Sequence, residues 1–247
     1  MGLERRQIHV AYAYQRIAEE IESQILEGTL KPGEQLPGET EMAEMFGVTR
    51  STVREGLRRL ESEGLVCRPT PRRLVVAIPR IDRLSTRSGR TMALMKVTYR
   101  ELWQVTLKTE MLAARLAAEM AKDDEIAALK SLHEELTGAE GNARRTIELD
   151  GRFHSQVARI GKNRVLGLAR EPVAHLLFRG FAQIAPFVPQ FYKRQIEAHS
   201  NIVGAIEARD PVRAETWARK HIEDFWRGVQ IAGLEDEAAV KNVKALS

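Results

Sequence analysis

Apolar residues fall into a helical rhythm early in the chain. Ile17, Ile21 and Ile25 stand four apart with Ala18 and Leu26 beside them, which predicts an amphipathic helix over residues 12–26, stopped by Gly28. A breaker-rich loop over 30–38 leads into a short second helix over 39–46, with Met42, Ala43, Met45 and Phe46 apolar and Gly47 at its end. Thr49 can N-cap a third helix whose buried face is Val53, Leu57 and Leu60, and Gly64 closes it. Two short β-prone runs, 65–68 and 74–77, flank Pro69-Thr70-Pro71-Arg72, which reads as a turn. Three helices followed by a two-stranded wing make residues 10–78 a winged helix-turn-helix.

Residues 79–95 carry Pro79, Gly89 and several charges without sustained periodicity, and read as a linker. Beyond Thr98 the β-prone runs stop. Helical patterns cover 99–120, 124–136, 143–160, 165–181, 191–208 and 211–231, separated by Gly138 and Gly141, Gly161-Lys162-Asn163, Pro186 and Pro189, and Arg209-Asp210-Pro211. The expected fold is therefore mainly α: the winged helix, then an all-α bundle of about six helices over 96–233. Residues 234–247 read as a weakly ordered tail.

Composition narrows the function classes. The single cysteine, Cys67, excludes an intramolecular disulfide framework and a cysteine-based zinc cluster, and suits a reducing compartment. No run of about 18 apolar residues and no signal-peptide core is present, so a soluble, cytoplasmic protein without a membrane partner is expected. The net charge of +4 hides a strong asymmetry: residues 48–90 hold eleven arginines against four acids. Such a stretch suits a polyanion, and would equally serve as a solvated arginine-rich surface.

Two constellations carry chemistry. On the third helix Arg50, Arg54 and Arg58 recur every four residues and share a face away from Val53, Leu57 and Leu60. That face fits a major groove, where arginine can bond two acceptors on guanine and where Ser51 and Thr52 can reach phosphate or base edges; Arg72 and Arg73 add charge at the wing tip. Further on, Asp150 and His154 lie four apart on one helical face. His199 and His221 each lie 11 residues from Asp210, so an antiparallel hairpin turning there brings them to one height. One carboxylate and three imidazoles suit a divalent transition metal, zinc or nickel foremost. Three uses stay open: effector binding, metal-dependent hydrolysis with Asp/His₃ activating water, and a purely structural ion.

The stretch Leu30-Lys31-Pro32-Gly33-Glu34-Gln35-Leu36-Pro37, with Glu39, Met42-Ala43 and Val48-Thr49-Arg50-Ser51-Thr52-Val53-Arg54-Glu55-Gly56-Leu57-Arg58-Arg59-Leu60-Glu61, resembles the GntR-type winged helix. The resemblance implies a homodimer on a palindromic double-stranded DNA operator, with Arg50 and Arg54 contacting DNA. It departs at Thr40, where an arginine is common, at Gly56, where an alanine is, and in the wing, which lacks a glycine. A mid-helix glycine costs about 0.5–1 kcal/mol relative to alanine.

Asp150-x-x-x-His154, Gly161-Lys162-Asn163, His199, His221 and Glu110 before Leu112-Ala113-Ala114-Arg115-Leu116 resemble the metal-binding form of the FadR-type ligand domain, FCD. This implies a transcriptional regulator, a repressor by type and not an enzyme, whose metal helps to bind a small organic acid. Thr106 stands where the family commonly has an arginine. Thr106, Lys108, Arg152 and Arg179 are therefore the effector-binding candidates, the last three as substitute charge partners.

Overall fold

A computed structural model describes residues 11–71, 73–79 and 81–240, and the chain divides after Arg80 into two units. In the first, α1 (Ala11–Leu26) lays Ile17, Ala18 and Ile21 against Met42 and Ala43 of α2 (Glu39–Phe46) and Val53, Leu57 and Leu60 of α3 (Arg50–Glu63). Thr49 caps α3 by accepting from the Thr52 amide, and Gly64 ends it at φ 81°. Strands β1 (Val66–Thr70) and β2 (Arg73–Val76) pair antiparallel and bury Val66, Leu74 and Val76 in the same core. The expected turn begins too early: Pro69 and Thr70 belong to β1. The pairing register is irregular between Cys67 and Thr70, and at such a place a proline need not donate to the ladder.

In the second unit the expected linker is a helix, α4 (Ile81–Leu94), packed on the helix over Arg164–Phe178. Its inward face mixes an apolar residue, Met92, with small ones. Gly89 and Ala93 are buried, and a Cβ at Gly89 would meet Leu176 at 3.8 Å. Arginines on its other faces then read as linker charge. Next come α5 (Tyr99–Met120), α6 (Asp123–Thr137), α7 (Ala143–Ile160), α8 (Arg164–Phe178), the single turn α9 (Phe181–Ile184), α10 (Phe191–Glu207) and α11 (Pro211–Ile231). Asn142, Asn163 and Asp210 cap α7, α8 and α11 with their side chains; the last two lie in the separators read from sequence, whereas Asn142 follows Gly141 and lies outside them.

The tail up to residue 240 is docked rather than loose. The first turn of α5 has amides without helical partners. Tyr99 N donates to Glu237 O at 3.3 Å, Arg100 N to Glu235 O at 3.0 Å, and Arg100 pairs with Asp236 at 2.8 Å. The unit has two apolar clusters. One gathers the alanines of α5 with α6, α7 and the hairpin end of α10 and α11; the other gathers Tyr99, Leu102, Phe178, Phe191, Phe225 and Trp226. Among the described residues no helix is long and apolar enough to cross a membrane.

Gly56 has a packing reason that outweighs helix propensity. A Cβ there would stand 2.9 Å from the Tyr14 carbonyl oxygen of α1, which is backbone and cannot swing aside. Gly56→Ala is therefore expected to destabilise by about 1–3 kcal/mol, the usual cost of overpacking, despite alanine's better propensity. The check is the denaturant midpoint; a variant as stable as the parent would show that α1 can retreat at no cost.

Candidate metal centre and DNA-reading face

The two apolar clusters meet at a buried polar layer. Phe153 of one stacks on His199 with ring centroids 4.3 Å apart, and Phe178 of the other stacks on His154, also at 4.3 Å. His154 comes from α7, His199 from α10 and His221 from α11, and all three are buried. Their Nε2 atoms converge. His221 Nε2 lies 3.0 Å from that of His154 and 3.1 Å from that of His199. Asp150, one turn before His154, brings Oδ1 to 3.6 Å from His199 Nε2. The hairpin turning at Asp210 thus brings its two histidines face to face.

The sequence passed over the groups that orient this layer. Glu110, on the buried face of α5, accepts from His154 Nδ1 at 2.8 Å through one oxygen and from Arg170 Nε at 2.7 Å through the other. Arg170, on α8 and only 2% exposed, also donates from Nη1 to Glu171 at 2.7 Å, and Ser155 donates to that carboxylate at 2.9 Å. A carboxylate acid at a core position of α5 was a legible signal for Glu110. Nothing local marks Arg170, whose partner is 60 residues away.

The charges in this layer follow from its burial. Burial alone would raise the Glu110 carboxyl, but Arg170 and His154 hold it down at about 2. Burial pushes Asp150 up to about 6, against the pull of His154. Burial, with neighbouring imidazoles, holds His199 and His221 well below their ordinary range, so both are neutral and have lone pairs to give.

This donor set fits a cation. Glu110 can only accept, so the proton of His154 sits on Nδ1 and its Nε2 is bare in the neutral ring. Three converging nitrogens cannot all satisfy one another by hydrogen bonds. A metal at 2.0–2.1 Å from each nitrogen in tetrahedral geometry sets ligand–ligand separations of about 3.3–3.4 Å, a few tenths beyond the two found. A positive ion would also stabilise the Asp150 carboxylate that burial penalises.

The effector candidates separate. Arg152 and Arg179 line a cleft of about 610 Å³ beside α7 and α8. Thr106 is buried on the Glu110 face of α5, its Oγ1 without a hydrogen-bond partner among the described residues. Lys108 is exposed, about 200° around the helix from Glu110, and is not brought to the layer. His133, which the sequence left aside, bonds Ser200 at 2.8 Å with its ring 6.3 Å from His199.

On α3, Arg50, Ser51, Arg54 and Arg58 are exposed and Thr52 is half-buried. Thr49 Oγ1 shares 2.8 Å bonds with the hydroxyls of Ser51 and Thr52. Arg58 pairs with Glu55 at 3.3 Å. Arg73 is exposed at the start of β2, while Arg72 lies outside the described residues. Arg54 is held by a residue the sequence did not single out for this role: its Nε and Nη2 both donate to Glu39 Oε2, at 3.0 and 2.8 Å. The other Glu39 oxygen accepts from Arg68 of β1 at 3.1 Å.

Glu110→Ala strips a buried guanidinium of its partner. It is expected to cost about 3–5 kcal/mol of stability, read from chemical denaturation, as removal of one member of a buried pair does. A loss below about 1 kcal/mol, the scale of an exposed pair, would show that Arg170 is compensated by other means.

Comparison with known proteins agrees with the division into two units. Residues 13–76 match the bacterial regulatory proteins, gntR family, and residues 101–224 match the FCD domain. The chain is 32% identical to the HTH-type transcriptional repressor NanR of Salmonella newport, over 90% of this chain and 86% of that one. It is 28% identical to the Glc operon transcriptional activator of Escherichia coli K12, over 93% and 94%. Among solved structures, Streptococcus agalactiae GntR aligns with a TM-score of 0.60 at 24% identity, covering 87% of this chain and 99% of that one, a likeness of fold. These families and relatives are transcription regulators, not enzymes. The chain belongs to the GntR family of transcriptional regulators and carries an FCD domain.

Proposed function

We propose that this regulator is a cytoplasmic, homodimeric repressor that grips a palindromic operator through Arg50, Ser51, Thr52, Arg54, Arg58, Arg72 and Arg73. Its second unit holds zinc or nickel through Asp150, His154, His199 and His221 and responds to a small organic acid. The single observation that carries the metal half is the meeting of three buried Nε2 atoms, with that of His221 3.0 and 3.1 Å from the other two, where a single imidazole N–H would have to serve two lone pairs if all three rings are neutral and His154 gives its proton to Glu110. Repression is favoured over activation by the greater identity to a relative named a repressor than to one named an activator.

When bound, the ion supplies a Lewis-acid anchor for an effector carboxylate. The chain's own residues do the rest. Glu110 fixes the His154 ring and its tautomer, Phe153 and Phe178 clamp two imidazoles between apolar faces, and Arg152 and Arg179 supply cations along the neighbouring cleft. An effector with different affinities for two arrangements of the helical unit then shifts the spacing of the DNA-reading heads.

A second reading has an observation of its own. The space among Glu110, Phe153, His154 and His221 admits no water-sized sphere, as suits an ion that braces the bundle without meeting an effector.

The test combines elemental analysis and native mass spectrometry of the purified chain with operator selection from random duplexes. Metal, a dimer mass and palindromic selected sequences are expected. Binding to the best selected duplex no tighter than to scrambled DNA at matched salt would sink the repressor. Arg54→Ala should weaken operator binding and leave metal content intact, whereas His221→Ala should lose metal. Small acids that never shift the melting point, together with strong destabilisation in His154→Ala, would leave the bracing ion in place of the effector site.

Glu39 should matter for reading rather than for affinity alone. By engaging Nε and one Nη2 hydrogen of Arg54, it leaves the Nη1/Nη2 edge for a guanine. Glu39→Gln is expected to lower the ratio of operator to scrambled-DNA affinity by roughly tenfold, within the range of one good bidentate contact. Its affinity for scrambled DNA should hold or rise, since a negative charge is removed. An unchanged ratio would remove Glu39 from the reading apparatus.

A further inference from the structure

Beyond the end of α11 the described chain crosses back over the start of α5. Leu234 N donates to Val229 O at 3.1 Å, which turns the chain off α11, and the segment then runs to Val240 along the first turn of α5. Besides the bonds from Tyr99 N and Arg100 N to Glu237 O and Glu235 O, Ala239 N donates to Val97 O at 3.0 Å, and Thr98 and Ala238 form an antiparallel bridge. Arg100 grips both Asp236 oxygens, at 2.8 and 3.2 Å, with its guanidinium 5.4 Å over the Trp226 ring. Ala239 is buried, and Leu234 and Val240 pack on the cluster that holds Tyr99, Phe225 and Trp226.

What this segment holds is the corner between α4 and α5. Residues 95–98 make the turn. Lys96 stands there at φ 55°, a left-handed conformation that a residue with a Cβ adopts at a cost, and Val97 N closes the turn on Met92 O at 3.1 Å. A strained turn keeps its conformation where its neighbours hold it. Ala239 engages the Val97 carbonyl at the corner itself, and the carbonyls of Glu235 and Glu237 engage the first amides beyond it. Helix α4 opens directly after Arg80, where the chain divides, so the covalent path from one unit to the other runs through α4.

The bonds that hold the segment are of a kind that opens locally. The Arg100–Asp236 pair is exposed, at 45% and 77%, and exposed pairs contribute little to stability. Among residues 234–240 only Ala239 is buried. A segment with few buried apolar contacts can open while its unit stays folded. We propose that residues 234–240 are a releasable strap that fixes the direction of α4 against α5, and that the strapped state is the one in which two DNA-reading heads engage both halves of a palindrome. The effect on DNA rests on the dimeric operator reading above, whereas the strap does not. Once the strap is released, α4 samples a wider range of directions and the effective concentration of the second head at its half-site falls, while each head's own affinity is untouched.

The test compares the full chain with a truncation after Gly233 and with Asp236→Ala/Ala239→Pro, which keeps the chain length and removes one ionic partner and the donor to Val97. In the parent, the Tyr99, Arg100 and Ala239 amides should exchange hydrogen together, about tenfold or more faster than amides in the middle of α5. In both variants Tyr99 and Arg100 should lose about tenfold more protection, with exchange in α7 and α10 unchanged. Affinity for the best selected palindromic duplex should fall about fivefold or more, and affinity for a duplex with a single half-site should stay within about twofold. Amides of Tyr99 and Arg100 that exchange only with the middle of α5 overturn the release. Unchanged palindrome affinity in both variants, or an equal fall on the single half-site, overturns control through the corner. A parent with no preference for any palindrome sinks the dimeric operator reading and the effect on DNA with it, while hydrogen exchange still decides the strap.

Discussion

Polar groups can be placed between two hydrophobic clusters only if nearly all of them are satisfied, because in that environment each unpaired one carries its full desolvation cost. The second unit is organised around this requirement. Glu110 answers most of it by accepting on both oxygens, from His154 and from Arg170, and Arg170 passes its remaining reach to Glu171. What the chain does not satisfy is the meeting point of the three Nε2 atoms, the Nδ1 atoms of His199 and His221 behind it, and Thr106 Oγ1 on the α5 side, none of the last three having a hydrogen-bond partner among the described residues. The demand for a cation is thus concentrated at one place. That place is where α7, α10 and α11 come together, so whatever settles there bears on the relative position of three helices.

The first unit solves a similar problem at its surface. Glu39 is one carboxylate serving two arginines, Arg54 of α3 and Arg68 of β1, and Arg68 also reaches Glu61 at 2.7 Å. Exposed pairs of this kind contribute little to stability. Their value lies in geometry: helix, strand and the start of α2 are tied by side chains, and Arg54 gives up rotamer freedom before any ligand arrives. Reading DNA with a pre-ordered arginine costs less conformational entropy than reading it with a free one.

Local signals made much of this fold legible. Caps at Thr49, Asn163 and Asp210 are decided by neighbours three residues away, and α2, α5, α7 and α11 have the ends read from sequence. The His199–His221 pairing was legible for a related reason: helical rise is constant, so equal distances from a turn mean equal heights. What escaped was decided across the fold. Helix α4 buries Gly89 and Ala93 beside Met92, so small residues interrupt its apolar face, and Gly56 is set by a carbonyl of α1 rather than by propensity. The tail gains its order from the open amides of α5, more than a hundred residues before it. Arg170 has no sequence neighbour that foretells Glu110.

Thr106 shows how such a distant pairing alters the chemistry on offer. At Thr106, where the resemblance to the family leads one to expect an arginine, α5 presents a short buried hydroxyl without a hydrogen-bond partner among the described residues, one turn before Glu110. Glu110 nevertheless has its guanidinium, supplied by α8 instead. A cation supplied from α8 engages the acceptor that orients His154. It also stands, almost wholly buried, in the wall of the arginine-lined cleft. The same residue thereby faces two environments, a buried carboxylate on one side and a charged concavity on the other.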